Sequence, residues 1–531
     1  MSETFTITID KRPVEARPGE SILALARKLG IEIPTLCFLE RCGPLTSCLV
    51  CLVKWNGKMV PSCGTLAEPG MAIESETMEV HEARRTALEL LFSDHVGDCL
   101  APCNRLCPLR LNIPVMLRQI ESGSVDAAIR TVGEALPLPG ILGRLCHHPC
   151  EQGCRRGQWD DPAGIRNLER TVTEENRKLP QPYVPSAKPS TGKSVAIIGS
   201  GPAGQGTAYY LLREGHAVTL IDRRAQAGGS LRSVGEDHLP PDVLDFEIRM
   251  LCAMGVQLRL GTELGRSVTL DDLLREFNAV VIATGETSPA EFASMGVENS
   301  GAFIKTHPDT WLTSHSGVFA TGRAVRNLNQ IVKVLFDAQA AASAVDRFLR
   351  GQVPQRPDKP FSSVMGRISP DELQLFLRSA NKVGGTPCGP KAGLSRAAAS
   401  LEASRCLHCD CRSSGSCALQ RYAEQYKVDA SRFRQQRRNF DQQLQPGGVI
   451  FEPGKCILCG ICVKLTELAG EELGLTFVGR GFDVRVATPF NRTIEEGLKK
   501  VAEDCVRHCP TGALSWKSRS FDLDSGAKKL G

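Results

Sequence analysis

Twenty-two cysteines fall in five bursts along 531 residues, and one glycine-rich fingerprint, GSGPAG at Gly199 to Gly204, stands between the third and fourth bursts. The spacings C-x2-C and C-x3-C recur within the bursts, and these are intervals at which thiolates converge on metal. A chain this long divides into several cores, so roughly three to five modules are expected, with the bursts as their markers. The opening MSETFTITID lacks the charged-then-apolar layout of a secretory leader, and no apolar run reaches the ~18 residues of a membrane span. The expectation is a cytoplasmic chain, whose reducing surroundings favour thiolate–metal bonds over disulfides.

Composition argues against other classes. A hydrophobic share of 42% is that of soluble globular proteins, with no sign of long disorder. Net charge is only +5, and no concentrated basic face with a nucleic-acid motif is visible. The densest basic run, Arg432, Arg434, Arg437 and Arg438, reads either as a solvated helix face or as a docking patch for an acidic redox partner.

At the N-terminus, residues 4–10 alternate as a strand and Ile22 to Leu29 have helical spacing; Cys37, Cys48, Cys51 and Cys63 follow as C-x10-C-x2-C-x11-C. Four thiolates complete a two-iron cluster. Cys42, five residues after Cys37, offers an alternative second ligand, as in plant-type ferredoxins. The segment TFTITIDKRPVEARPGESILALARKLGIEIPTLCF resembles the β-grasp [2Fe–2S] domain of the complex I large peripheral subunit, a module shared with iron hydrogenases and NAD-dependent formate dehydrogenases. TSCLVCLV matches that pattern and favours Cys48, leaving Cys42 spare.

The stretches HVGDCLAPCNRLCP and GRLCHHPCEQGCRRGQWDDPAGIRNLER resemble the helical two-cluster domain of the glutamate synthase small subunit and of dihydropyrimidine dehydrogenase. Carried over by position, the resemblance implies one [4Fe–4S] cluster on Cys99, Cys103 and Cys154 and another on Cys107, Cys146 and Cys150. Each set is one ligand short. His95, with three residues between it and Cys99 in an H-x3-C spacing, is similar to the histidine ligand of complex I and hydrogenase subunits; otherwise it is an ordinary surface histidine. Imidazole ligation raises a cluster's potential. For the second cluster the family uses a Gln or Glu of the following helix, and Glu169 in IRNLER matches it; without that resemblance it reads as a solvated glutamate.

Lys193 to Ile198 is a short apolar strand leading into GSGPAGQGTAYYLLREGHAVTLID. Gly199, Gly201, Pro202, Ala203 and Gly204 let the backbone approach a diphosphate at a helix N-terminus, and Asp222 closes the second strand where a carboxylate can accept from a ribose hydroxyl. The continuation, with Gly229, Leu231 and Arg232 in AQAGGSLR, Thr284 and Gly285 in ATGE, and Gly322 and Arg323 in ATGR, resembles the FAD domain of the glutamate synthase small subunit. Relatives carry an aspartate where Arg323 stands, so a cation here either compensates phosphate charge or alters flavin affinity. They also insert an NADPH domain between the ATG strand and the closing element. Only 31 residues separate Gly285 from Gly317, about one βαβ unit, so the expectation is FAD without NAD(P)H at the usual site. Cys252 reads as a core residue of an apolar helix.

Beyond a proline-rich linker, Cys406, Cys409, Cys411 and Cys417 lie within twelve residues. They suit zinc or a [4Fe–4S] cluster; the closing C-x-LQ and the phrase RCLHCDC resemble iron–sulfur proteins and favour iron. Cys456, Cys459 and Cys462 in GKCILCGIC with Cys509 before proline resemble half of a bacterial ferredoxin with a late fourth ligand, as in the complex I large subunit. Cys388 and Cys505 remain spare.

The predicted architecture is multidomain α/β and α+β: a [2Fe–2S] β-grasp at 1–80, a helical two-cluster domain at 81–185, and a Rossmann-like FAD domain at 190–352. A linker with the cysteine-rich loop follows at 353–445, then a [4Fe–4S] ferredoxin-like domain at 446–520 and a tail at 521–531. The function this implies is an electron-transfer iron–sulfur flavoprotein subunit carrying FAD, one [2Fe–2S] and about four [4Fe–4S] clusters. No catalytic constellation is visible, so substrate chemistry is expected on partners: a complex-I-like NADH-binding flavoprotein, and a molybdenum or tungsten enzyme or a hydrogenase. The alternatives are an NAD(P)H-dependent reductase of the glutamate synthase small-subunit type and a scaffold with structural metal.

Overall fold

Packing regroups the linear modules. The computed structural model describes residues 4–386, 393–435 and 437–517; Cys388 and the tail at 521–531 lie outside them. Over the described residues the chain forms two compact units, one from Met1–Ala101, Pro360–Arg378 and Cys409–Gly531, the other from Pro102–Lys359 and Ser379–His408. The second burst of cysteines is therefore cut between Ala101 and Pro102, and the fourth between His408 and Cys409.

The first unit begins with a five-stranded sheet. Strands β1 (Phe5–Ile9) and β2 (Arg12–Ala16) form a hairpin whose two turn residues, Asp10 and Lys11, both take positive φ, the twist that a tight antiparallel turn demands. With β3 (Leu52–Trp55), β4 (Lys58–Pro61) and β5 (Ala72–Glu74) the order is β2-β1-β5-β3-β4, and β5 runs parallel to β1. Asp10 locks that parallel pairing by accepting from the Ser75 backbone N–H and hydroxyl. Helix α1 (Ile22–Lys28) is capped by the Ser21 hydroxyl and buries Ile22, Leu23 and Leu25 completely under the sheet. A helix of seven residues does not hold alone in water. Each buried aliphatic contributes about 1.5–3 kcal/mol, against about 1 for the cap, so packing decides its existence.

Helix α2 (Met78–Ser93) follows, and its Leu88 and Phe92 enter a second core with Leu36, Val50, Tyr422, Phe451, Leu465 and Leu514. That core joins the cysteine-bearing side of the first domain to the C-terminal stretches. Arg84 of α2, wholly buried, donates to the Leu52 carbonyl and to the Tyr426 hydroxyl. Segment 360–378 is held to the same unit by Glu372, which accepts from both Arg437 amino groups and from the Phe440 N–H; the Arg437 guanidinium holds this carboxyl far below its ordinary range. The basic run is thus no helix face. Arg432 pairs with Glu89, Arg437 with Glu372 and Arg438 with Asp94, because these arginines reach an acid on α2, at its C-cap or on the returning segment.

The second unit opens with helices α3 (Pro102–Leu106), α4 (Ile113–Glu121), α5 (Val125–Ala135), α6 (Pro139–Leu145), α7 (Pro149–Gln152) and α8 (Ile165–Lys178). Segment 379–408 belongs here because Arg405, fully buried, pairs with Glu402 and Asp160 and donates to the carbonyls of Val383, Asp161 and Pro162. A charge taken out of water needs such complete pairing.

A parallel sheet follows: β6 (Ser194–Ile198), β7 (Ala217–Asp222), β8 (Gln257–Leu260), β9 (Ala279–Ile282) and β10 (Val318–Ala320) in the order β8-β7-β6-β9-β10. This is the open order of dinucleotide-binding domains, with the crevice at the carboxyl ends of the central strands. Between β9 and β10 lie one short helix, Pro289–Ser294, and the isolated bridges Asn299↔Ile304 and Leu312↔Phe319. Cys252, expected in the core, is exposed: on the helix Pro241–Ala253 the buried positions are Val243, Leu244, Phe246, Glu247 and Leu251, so the next residue faces out. Among the described residues no helix is long and apolar enough to cross a membrane.

Candidate thiol sets and nucleotide cavity

Among the described residues, four groupings of thiols are defined by contacts within a unit. In the first unit Cys37 hydrogen-bonds the thiols of Cys48 and Cys63, and Cys51 Sγ lies 3.4 Å from Cys63 Sγ. Those neighbours pull the Cys37 thiol well down and push Cys48 and Cys63 up. Cys42 is also buried, but the charges acting on it come from Arg41 and Lys464 and not from a thiol. The loop that follows β4 brings Cys63 back over Cys51, which is why a gap of eleven residues closes the set.

Cys456, Cys459, Cys462 and Cys509 line one small cavity together with Val486, Pro510 and Leu514. Burial pushes the first three thiols up, and Cys509 raises each further. Cys505 is fully buried and lies 3.9 Å from the Cys462 carbonyl, beside the set rather than in it.

The third grouping differs from the sequence expectation. Cys99 was expected with Cys103 and Cys154, and Cys411 and Cys417 with Cys406 and Cys409. In the first unit the Cys411 N–H donates to the Cys99 carbonyl at 3.3 Å, and Cys99 and Cys411 both act on the Cys417 thiol, which burial already raises. Residues 102–408 intervene in sequence, yet most of them fold as the other unit, so the chain leaves after Cys99 and returns before Cys411. His95 is half-buried on this loop with its Nδ1 shielded and without a hydrogen-bond partner, and desolvation, then Lys455 and Arg434, lowers it to about 3. Lys455 is itself buried, paired with Glu452 at 2.5 Å, and packs against Gly97 while facing Cys411. A neutral imidazole with an orphaned nitrogen is the form that coordinates metal.

In the second unit Cys107, Cys146 and Cys150 all feel Glu169 on α8, and burial raises all three thiols. Glu169 is buried, its Oε1 lacks a partner, and burial first, then Glu151, pushes its carboxyl up to about 8. Such an acid fits as a ligand, since bonding to iron would supply the partner that the fold omits. The Tyr210 hydroxyl is likewise buried without a partner and is raised by burial, then by Tyr209 and Cys107. Apart from the exposed Cys252, the other described thiols of this unit are Cys103 on α3, Cys154 after the packed helix α7, and Cys406; Cys409 opens the returning stretch of the first unit. Among the described residues no three His, Cys, Asp or Glu side chains stand at the spacing of a single coordinated ion.

The fingerprint shapes a cavity of about 280 Å³ at the sheet's carboxyl edge. Gly199 has φ +106°, and a side chain there would meet the Ala283 carbonyl at 2.5 Å; one at Gly204 would meet the Gly199 carbonyl at 1.9 Å. Both positions therefore require glycine for the strand–loop–helix turn to close. The helix that follows, α9 (Pro202–Arg213), has proline in its first turn and aims its N-terminus at the cavity, where an anion is stabilised. Gly201, Pro202, Ala203, Asp222, Gly229, Thr284, Gly285 and Arg323 line the space with Gly199.

Asp222 accepts from the Ser200 N–H and hydroxyl and from the Arg224 N–H, so it orders the loop as well as facing the cavity. Leu231 and Arg232 are not among the lining residues. Leu231 is buried, and Arg232 bonds the Ala227 carbonyl and Asp245. Gly204 and Gly322 act through backbone packing. Arg223, Arg224, Thr262, Glu263 and Glu286 also line the cavity; three of them directly follow the recognised motifs, which was the available signal.

Three family descriptions match successive parts of the chain: a 2Fe-2S iron-sulfur cluster binding domain over residues 2–78, dihydropyrimidine dehydrogenase domain II with its 4Fe-4S cluster over 75–180, and an NAD(P)-binding Rossmann-like domain over 197–260. The chain is an assembly of iron–sulfur and Rossmann-like domains. It is 37% identical over 227 residues to the NADP(+)-dependent formate dehydrogenase subunit beta of Moorella thermoacetica, covering 38% of this chain and 32% of that protein. It is 35% identical over 190 residues to the NADPH-Fe(3+) oxidoreductase subunit beta of Geobacter sulfurreducens, covering 35% and 28%. It is 33% identical over 199 residues to the glutamate synthase [NADPH] small chain of Bacillus subtilis, covering 37% and 40%. The chain thus spans well under two thirds of the length of each.

Proposed function

We propose that this chain is an electron-transfer iron–sulfur flavoprotein subunit of an oxidoreductase complex in the cytoplasm. The observation that carries the reading is the gathering of thiols into separate sets within each unit, together with a nucleotide cavity in the second, in domains similar to 2Fe-2S, 4Fe-4S and Rossmann-like families. Cys37, Cys48, Cys51 and Cys63 would hold the [2Fe–2S] centre. Three [4Fe–4S] clusters would fall to Cys456, Cys459, Cys462 and Cys509; to His95, Cys99, Cys411 and Cys417; and to Cys107, Cys146, Cys150 and Glu169; a fourth would draw on Cys103, Cys154 and Cys406 of the second unit. FAD would occupy the cavity, its diphosphate at the N-terminus of α9. When bound, clusters supply one-electron transfer and the flavin exchanges between one- and two-electron steps.

This chain's own residues bury the ligands, place Lys455 as a fixed cation near the Cys99 set, and set Tyr210 near Cys107 on the helix that begins at the cavity. Substrate chemistry is assigned to partner subunits, an NADH-binding flavoprotein of the complex I kind and a molybdenum, tungsten or hydrogenase enzyme. The second reading, a self-contained NAD(P)H reductase, draws on the matched family's description as NAD(P)-binding.

The two readings separate on the purified chain, anaerobic and loaded with FAD and clusters. We expect dithionite to bleach the flavin and clusters, while NADPH or NADH in excess leaves the visible spectrum unchanged over minutes. Rapid bleaching by either nucleotide would replace the relay reading with the reductase.

A further inference from the structure

Arg323 follows Gly322 in the ATGR stretch, and its surroundings give the side chain a role. The loop bearing it is fixed from below: buried Asp337 accepts from the Thr321 hydroxyl at 2.8 Å and the Gly322 N–H at 2.7 Å, and is joined by the Trp311 indole and by Arg326. Gly322 packs so closely on the first turn of α9 that a side chain there would stand 2.6 Å from the Ala203 methyl. The backbone of Arg323 is therefore held beside the helix N-terminus that faces the cavity. Its side chain lines that cavity, its Nε is shielded from solvent without a hydrogen-bond partner, and its terminal nitrogen pairs with Glu286, another lining residue.

We propose that Arg323 is a clamp for the diphosphate of a bound nucleotide, and that Glu286 holds it in place until the diphosphate displaces the carboxylate. The proposal rests on the FAD reading of the cavity. Magnitudes favour the exchange. Glu286 is mostly solvent-exposed, and ion pairs of that kind are weak and screened by salt. A guanidinium bonding phosphate beside a helix N-terminus is a charge-assisted contact, and a planar fork matches two phosphate oxygens at once. The orphaned Nε supplies the second donor for that fork.

The test uses the full-length chain, anaerobic and freed of flavin, titrated by calorimetry with FAD, ADP and adenosine. Arg323→Gln should weaken FAD and ADP by about 10-fold or more while leaving adenosine within about 2-fold, because only the first two carry the diphosphate. Arg323→Lys should recover part of the loss, and Glu286→Gln should tighten ADP by about 2- to 5-fold by freeing the guanidinium. ADP affinity unchanged in Arg323→Gln overturns the clamp, as does an equal loss for adenosine; weaker ADP binding in Glu286→Gln overturns the exchange. A wild-type chain that binds neither FAD nor ADP removes the flavin reading itself, and the clamp with it.

Discussion

Replacing Cys411 by Ser removes the same four-iron cluster as replacing Cys99 by Ser, although 311 positions separate the two residues in sequence. Both thiols belong to one set with Cys417, formed where the chain leaves the first unit and re-enters it. Each single variant is expected to lose about four irons per chain and one low-temperature signal. The double variant should lose no more than either alone, since the ligands act on one object. Electron paramagnetic resonance of the reduced proteins and iron analysis give both readings. Separate losses that add in the double variant would restore the linear assignment of Cys99 with Cys103 and Cys154. His95→Ala should join the same group, its signal lost or strongly shifted.

Glu169→Ala should abolish the cluster on Cys107, Cys146 and Cys150, whereas Glu169→Gln should keep it with an altered potential. The carboxyl is buried, partner-free at Oε1 and pushed up to about 8, first by burial and then by Glu151. Alanine leaves a coordination position unfilled, while glutamine offers a neutral oxygen at the same place. Potentiometric titration of that cluster reads the difference. If the alanine variant retains four irons at an unchanged potential, Glu169 is a buried structural acid only.

Much of this was legible in the sequence wherever a motif is local. C-x2-C-x2-C around Cys456, the glycine fingerprint and the alternation of β1 each report a structure completed within a few residues. The choice of Cys48 over Cys42 needed a family pattern, because both thiols are buried near one another in sequence and only tertiary packing directs Cys48 to Cys37. The resemblance to the glutamate synthase small subunit carries Cys99 over to a set with Cys103 and Cys154, and an intervening unit of roughly 300 residues that returns its ends to one place is invisible to such a carry-over. The signals did exist: H-x3-C before the gap and C-x-LQ after it each resemble cluster-binding stretches of complex I and hydrogenase subunits.

Cys252 shows the opposite failure. An apolar neighbourhood suggested a core position, while the helical period places it next to buried Leu251 on the outer face. The arginine run is solvated at Arg432, Arg434 and Arg438, but the acids it pairs with, Glu89, Asp94 and Glu372, lie far away in sequence. Long-range ion pairs leave no local trace.

The account stands most directly on stoichiometry. Anaerobic reconstitution of the full chain, followed by iron, acid-labile sulfide and flavin analysis with Mössbauer spectra, should give about 18 irons, about 18 sulfides and one FAD per chain, the iron divided between one two-iron and four four-iron components. Iron near that value without labile sulfide, or zinc filling the thiol sets, would contradict it.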